Sequence, residues 1–271
     1  MFKINNLTYQ YDKTRKALDN VSMDFNKGDI IGIIGSNGSG KSTLFNNLMG
    51  ILKSTEGEIL YNGEQLKYDK KSLYNLRKEV GIVFQDPEKQ IFYSMVYDDI
   101  AFALRNIGMD EKTIKDRIHT ALEAVNGLQF IDRPVHNLSF GQKKRVAIAS
   151  VVAMENKLVL LDEPTAGLDP ISTRAIVDII KGLNDRGVKI IISSHDMNLI
   201  YEICDYVYVL NQGVLINEGT RAEVFVNEEK INEAGLELPW LVKLHKNMGL
   251  PLFPKEEDLY SFWNKQAQKT V

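Results

Sequence analysis

Apolar and polar residues alternate from Phe2 to Tyr9 (F-K-I-N-N-L-T-Y) and again from Leu18 to Phe25 (L-D-N-V-S-M-D-F). This pattern predicts two antiparallel edge strands around a polar turn. The pattern then changes. Ile30–Ile34, Val80–Phe84, Leu158–Leu161 and Val188–Ser193 are short, largely apolar runs, the signature of strands buried on both faces in a parallel sheet. Between them the period becomes helical: Leu44, Leu48 and Met49, then Val96, Ile100, Ala103 and Leu104 within Met95–Asn106. It continues with Ile114, Ile118, Leu122 and Val125 within Thr113–Leu128, and Ile176, Ile179, Ile180 and Leu183 within Ile171–Leu183. An apolar helix is also expected over Val146–Met154. Tyr61-Asn62-Gly63 reads as a hairpin turn after Gly57–Leu60, and Asn211-Gln212-Gly213 as another between Val207–Leu210 and Gly213–Ile216. Strands alternating with helices make the chain an α/β protein.

Composition narrows the setting. The 271 residues fit one large domain, or a main domain with a small appendage, and 44% hydrophobic with 25% charged residues supports a sizeable core. A net charge of −3 argues against non-specific nucleic-acid binding. Cys204 is the only cysteine, so an intramolecular disulfide and a cysteine-rich metal site are both excluded. It reads as a small buried apolar residue in a reducing cytosolic setting more readily than as a redox switch. Met1–Asn20 carries no apolar signal core, and no run approaches the roughly 20 apolar residues that cross a bilayer. Any service to a membrane must then pass through partners.

The chemistry begins where the strand Ile30–Ile34 ends. G-S-N-G-S-G-K-S, Gly35 to Ser42, lies between a strand and a helix, the order a phosphate-binding P-loop requires. Gly35, Gly38 and Gly40 let successive N–H groups and a helix N-terminus converge on one anion. Lys41 is placed to neutralise β/γ-phosphates and the Ser42 hydroxyl to ligate Mg²⁺. Tyr11 could stack on an adenine base, with Tyr9 competing for that role and core packing the alternative for either. Gln85 stands at a strand end before Asp86-Pro87, where its amide oxygen can reach a metal or water. Asp98 and Asp99 lie off the apolar stripe of their helix, as a solvated acidic face or a docking surface for a basic partner. Ser139 and Gln142 have capping-box spacing, either an ordinary cap or a second phosphate site. Asp162 and Glu163 follow an apolar strand directly, one suited to Mg²⁺ and the other to taking a proton from water. By itself His195, at another strand end, reads first as a satisfied core histidine.

Joined in this order, the pieces resemble the ATP-binding-cassette (ABC) ATPases over roughly Met1–Glu223. The match runs through Tyr11, the P-loop, Gln85, the signature L-S-F-G-Q, the Asp162-Glu163 strand, T-A-G-L-D ending at Asp169, and His195. Phe140 stands where the family usually has glycine. The resemblance implies a P-loop NTPase with a mainly parallel core sheet, an antiparallel β subdomain and a helical subdomain over about 86–156. It implies nucleotide contacts from Tyr11, Gly35, Ser36, Asn37, Gly38, Ser39, Gly40, Lys41, Ser42, Thr43, Gln85, Ser139, Gly141, Gln142, Asp162 and Asp169. Ser42, Gln85 and Asp162 would serve Mg²⁺, and Glu163 and His195 would be catalytic. ATP would lie between the P-loop of one subunit and Ser139–Gln142 of a second, head to tail.

Gln85–Phe92, Val96–Leu104 and A-G-L-E-L-P, Ala234 to Pro239, further resemble the ATPases of cobalt/nickel and energy-coupling-factor (ECF) importers. In that group the ATPase pairs with a like subunit, identical or distinct, and drives a transmembrane coupling subunit whose arginine-bearing helices dock after Gln85. This favours the docking reading of Asp98 and Asp99. A substrate-binding membrane subunit would be reached indirectly, from the cytoplasmic face of the membrane. Residues 224–271, with Leu241, Leu244 and Met248 at helical spacing, would form a helical appendage that aids pairing. DNA-repair relatives carry long heptad insertions, and translation-factor relatives carry two cassettes; neither feature is present. A regulator that does not hydrolyse would lack Glu163. Four scattered histidines and one cysteine offer no soft-metal cluster, so the subunit is not expected to hold the cargo.

Overall fold

The apolar runs do lie side by side. A computed structural model describes residues 1–12 and 15–267. In chain order the elements are β1 (Phe2–Gln10), β2 (Lys16–Asp24), β3 (Ile30–Ile34), α1 (Lys41–Leu48), β4 (Glu56–Tyr61), β5 (Glu64–Gln65), α2 (Lys70–Glu79) and β6 (Val80–Val83). A helical segment follows: α3 (Val96–Asn106), α4 (Glu111–Ala124) and α5 (Phe140–Ala153). Then come β7 (Leu158–Asp162), α6 (Pro170–Asp185), β8 (Lys189–Ser194), α7 (Met197–Ile203), β9 (Tyr206–Asn211) and β10 (Val214–Thr220). The tail holds α8 (Arg221–Val226), α9 (Glu228–Glu233), α10 (Trp240–Met248) and α11 (Glu256–Ala267).

The main sheet has the order β10-β9-β3-β8-β7-β6, parallel throughout except for β10. Its strands alternate residues into two cores, as period 2 demands. Ile31, Ile33, Leu160 and Ile191 meet α1 and the second sheet, whereas Ile30, Ile34, Leu161 and Ile192 meet the helices of the other face. Each core therefore seals one face of the strands that end at the P-loop edge.

The second sheet is antiparallel, in the order β2-β1-β4-β5. Only β2 keeps the edge place expected of both opening strands: Lys3 faces Asp24 on one side and Leu60 on the other, making β1 internal. Alternation reports which face of a strand is buried and is silent on how many neighbours it has. The turn joining β1 to β2 lies partly outside the described residues.

Caps move some boundaries. Asp110 accepts hydrogen bonds from Lys112 N and Thr113 N, starting α4 at Glu111. The helix expected to reach Leu128 stops at Ala124, because Asn126 turns to φ +50° before Gly127, and Leu128 opens a separate 3₁₀ turn. A capping box between Ser139 and Gln142 starts α5 at Phe140. In the tail, Leu241 and Val242 are buried and Leu244 is half-buried, whereas Met248, placed on the same stripe by its spacing, is 64% exposed in the last turn before Gly249. Val224, Phe225, Ile231, Val242 and Phe253 belong to the same core as α5 and α6, so the described tail packs directly on the main sheet's helical face.

Candidate nucleotide site

The loop from β3 to α1 closes on itself in a way only glycine permits. Gly38 and Gly40 sit at φ +80° and +107°, and a Cβ on Gly40 would stand 2.6 Å from the Ala17 carbonyl oxygen. Gly40 is also the N-cap of α1, so the free N–H groups of that helix face the loop's interior. Lys41 is 6% exposed; its ammonium donates to Gly35 O at 2.7 Å and Ser36 O at 3.2 Å, and stands 3.6 Å from Glu163 Oε1.

Glu163 reaches this point because β7 and β8 run parallel, with Asp162 opposite Ser193. The chain then turns sharply: Glu163 has φ +47°, an uncommon conformation for a residue with a side chain. Its N–H donates to Ser193 O and Oγ, both at 3.1 Å. Its carbonyl accepts from Lys144 Nζ at 2.8 Å. The carboxylate is divided. Oε2 lies 2.8 Å from His195 Nδ1 and accepts from His195 N at 3.3 Å, whereas Oε1 is buried with no hydrogen-bond partner. Beside it, Ser193 Oγ donates to Asp162 Oδ1 at 2.5 Å. Lys144 is wholly buried, and burial pushes its pKa down to about 8 against the pull of Glu163 and Asp162.

A cleft of about 450 Å³ opens at this edge, bringing Asn37, Gly38, Gly40, Lys41, Ser42 and Thr43 together with Tyr11, Gln85 and Glu163. Tyr11 is 64% exposed and bonded to Thr43 Oγ1 at 3.2 Å, while Tyr9 packs edge-on against it and on the core between the sheets. The exposed ring suited to a base is thus Tyr11. Ser39 is buried beneath the loop, with its Oγ unpartnered. His195, reached through Glu163, lines a neighbouring cleft with Ser36 and Asn37. The donor set of Ser42, Gln85 and Asp162 is hydroxyl, amide and carboxylate oxygen, the hard chemistry of Mg²⁺, and the bare Glu163 Oε1 adds a buried anionic oxygen. Among the described residues no group of three histidine, cysteine or acidic side chains could hold a metal.

Asp162, buried beside Glu163, does not itself line this cleft, and neither do Ser139, Gly141, Gln142 and Asp169. Ser139 accepts from Gln142 N at 3.3 Å while Gln142 Oε1 accepts from Ser139 N at 3.0 Å, and Gly141 lies in the same first turn of α5. Asp169 caps α6, accepting from Ser172 N and Oγ, bonds that hold its carboxyl below the usual range. The paired acids on α3 require a correction. Asp98 faces Arg105 at 3.4 Å, but Asp99 is 9% exposed and turns inward to accept from Phe92 N and Tyr93 N. The sharp bend at Phe92-Tyr93 needs an acceptor beneath it, and the buried Asp99 carboxyl supplies one. Burial pushes its pKa up. Arg15 in the cleft, Ser193 and Lys144 were not anticipated. Arg15 and Ser193 carry no motif, and Lys144 is one lysine in a basic run.

Residues 18–166 match the family described as ABC transporter. The chain belongs to that family. It is 46% identical over 267 residues to the cobalt import ATP-binding protein CbiO of Salmonella typhimurium, covering 98% of each chain. It is 43% identical over 248 residues to the energy-coupling factor transporter ATP-binding protein EcfA of Methanosphaera stadtmanae, covering 92% of this chain and 89% of that one. Among solved structures it is similar to cbiO1 from Clostridium perfringens, described as part of the ABC transporter complex cbiONQ. That structure has a TM-score of 0.77 and 41% identity, with 90% of this chain and 98% of that chain covered. The departure of this ABC chain at Phe140 leaves the start of α5 intact. The ring rests against Gly167, where an added Cβ would meet Phe140 Cε1 at 3.4 Å.

Proposed function

We propose that the chain is the ATP-binding and ATP-hydrolysing subunit that powers an importer of the cobalt/nickel or energy-coupling-factor type. It acts as one of two ATPase subunits held at the cytoplasmic face of the membrane by a transmembrane coupling subunit. One observation carries the reading: Lys41, Glu163 and, through Glu163, His195 converge on the P-loop cleft, while the polar first turn of α5 at Ser139–Gln142 lies outside it. Each subunit thus offers a P-loop half and a signature half that do not serve one another. A second subunit, head to tail, supplies the missing half and encloses the triphosphate in a water-poor site where fixed dipoles act on the moving phosphoryl group.

In that site the P-loop N–H groups and Lys41 bind the phosphates and Tyr11 covers the base. Ser42, Gln85 and Asp162 would hold Mg²⁺, which supplies charge neutralisation at the β/γ-phosphates. Glu163 Oε1, free of hydrogen bonds, accepts a proton from the attacking water. His195 fixes the other carboxylate oxygen and so aims the first. No helix among the described residues is long and apolar enough to cross a membrane, so coupling passes through docking. Exposed Phe92, Tyr93 and Phe102, with Asp98 beside them and Asp99 shaping the bend, form the surface proposed for the coupling subunit. Residues 1–223 form the ATPase domain and 224–271 an appendage for pairing, supported in its described part by exposed Trp240, Tyr260 and Trp263. The relatives named for cobalt import and energy coupling support the importer type.

The test is co-expression with candidate membrane subunits, extraction in mild detergent, and assay of ATP turnover in the purified complex. A stoichiometric complex with two ATPase subunits and coupled turnover is expected. Asp98→Lys should lower its yield while leaving the melting temperature of the isolated chain unchanged. A chain that hydrolyses ATP only as a monomer, and never co-purifies with a membrane subunit, refutes the proposal.

A further inference from the structure

We infer that Lys144 is a positioning residue that links the two ATP sites of the pair, holding Glu163 of its own site from the helix whose first turn serves the partner's site. The inference rests on the paired arrangement proposed above. Lys144 lies on α5, five residues after the cap at Ser139 and about 7.5 Å along the axis at the usual helical rise. Its side chain is 0% exposed, and its ammonium donates to the carbonyl oxygen of Glu163 at 2.8 Å.

A buried ammonium is a costly way to fill space, since a methionine of similar length avoids the desolvation penalty. What the charge provides is a grip on one carbonyl, that of the residue whose backbone sits in the left-handed region. That conformation persists only where the surroundings over-determine it. Here they do so from both sides, Ser193 on the Glu163 N–H and Lys144 on the Glu163 carbonyl. Burial lowers the charge's own tendency to persist, and the nearby carboxylates of Glu163, Asp162 and Asp86 oppose that.

Phe140 completes the link. One helical turn before Lys144, its ring centroid is 5.7 Å from Nζ, within cation–π range, and the same ring packs on Gly167 in the loop between Glu163 and Asp169. The aromatic residue at the unusual signature position therefore covers the ammonium that grips Glu163. When the first turn of α5 binds the partner's phosphates, any shift of this helix is delivered to Glu163 through one hydrogen bond and one ring. Coupling between sites then has a physical carrier.

The experiment compares the full chain with Lys144→Met, Lys144→Arg and Phe140→Leu, reading kcat, KM and the Hill coefficient for ATP. Lys144→Met should lower kcat about tenfold, the size expected for losing the one hydrogen bond that holds the Glu163 carbonyl, with KM nearly unchanged and the Hill coefficient falling towards one. Lys144→Arg, which keeps charge and donor, should restore cooperativity. Phe140→Leu should move both quantities the same way by less, and should add little to Lys144→Met. It also preserves the test if Lys144→Met fails to fold. ATP-dependent pairing of Glu163→Gln is measured in parallel by light scattering. If that variant pairs but Lys144→Met keeps wild-type kcat and Hill coefficient, or if the Phe140 and Lys144 effects add independently, the role of Lys144 is refuted alone. If Glu163→Gln stays monomeric in ATP, the paired reading falls and the link between sites falls with it.

Discussion

Glu163 and His195 offer the sharpest quantitative test of the site. The two carboxylate oxygens are not equivalent: Oε2 takes the His195 ring at 2.8 Å and the His195 N–H at 3.3 Å, whereas Oε1 is buried, unbonded and 3.6 Å from Lys41 Nζ. In Glu163→Gln the amide must present its oxygen to the His195 N–H, because the opposite orientation sets two donors face to face. The NH₂ group then occupies the place of Oε1, putting a donor where water needs an acceptor. Loss of a general base typically lowers turnover by 10²-fold or more, and about 10² corresponds to about 2.7 kcal/mol in the barrier.

His195→Ala removes one hydrogen bond from Oε2 but leaves the backbone N–H in place and Oε1 chemically intact. A net loss of about 1.4 kcal/mol, typical of one such bond, gives about tenfold. Because His195 is here taken to act through Glu163, the double variant should be no slower than Glu163→Gln alone. Phosphate release at saturating ATP gives kcat for all three, and fluorescent-nucleotide titration checks that binding is retained. Glu163→Gln turning over near the wild-type rate would remove the carboxylate from proton transfer. Losses that multiply in the double variant would show that His195 acts on the phosphate independently.

Three further outcomes probe the fold around the site. Burial raises the pKa of Asp99, so folding favours its protonated form and stability falls as pH rises from the unfolded value of about 3.8 through the raised folded one. Asp99→Asn should flatten that fall and match or exceed the wild type at pH 7, whereas Asp99→Ala, leaving Phe92 N and Tyr93 N unpaired, should cost about 1–2 kcal/mol; melts at pH 4 and 7 decide. Gly81→Ala would drive a Cβ to 2.2 Å from Val151 Cγ1 and 2.7 Å from Asn156 Oδ1, so urea unfolding should show a loss of about 1–3 kcal/mol, and an unchanged midpoint would mean that β6 and α5 are less closely packed. Burial pushes the Cys204 thiol far up, so a disulfide reagent should label it only after denaturation; rapid labelling of the native protein would contradict its enclosure.

The elements legible in the sequence are those whose cause is local. Ile30–Ile34 forms β3 at the predicted residues, because a β-branched run with a single Gly32, ended by the Gly35 loop, has few other ways to satisfy its backbone. Gly38, Gly40 and Lys41 are legible for the same reason, since the loop's chemistry is written in consecutive residues. Failures occur where the answer lies across the fold. The alternation of β1 shows its buried face but not its second neighbour β4, which lies roughly fifty to sixty positions further along the chain. Asp99 falls off the apolar stripe of α3 and looks solvated, yet the bend at Phe92-Tyr93 returns over it and buries it.

Phe140 and Lys144 show how a local pattern can hold non-local information. Taken singly in the sequence, Phe140 is a departure from the signature and Lys144 is one lysine of K-K-R. Their i, i+4 spacing nevertheless places both on one face of the helix that the Ser139–Gln142 box begins. An aromatic ring and a cation on that face, opposite a strand ending in two carboxylates, are the ingredients of a buried ion held by dipoles and a π-face. What the spacing could not supply was the acceptor, because a backbone carbonyl looks the same at every residue. Only the turn at Glu163, with its positive φ, exposes that carbonyl to α5. The unusual conformation of the proposed proton acceptor and the unusual burial of the lysine are therefore two sides of one contact.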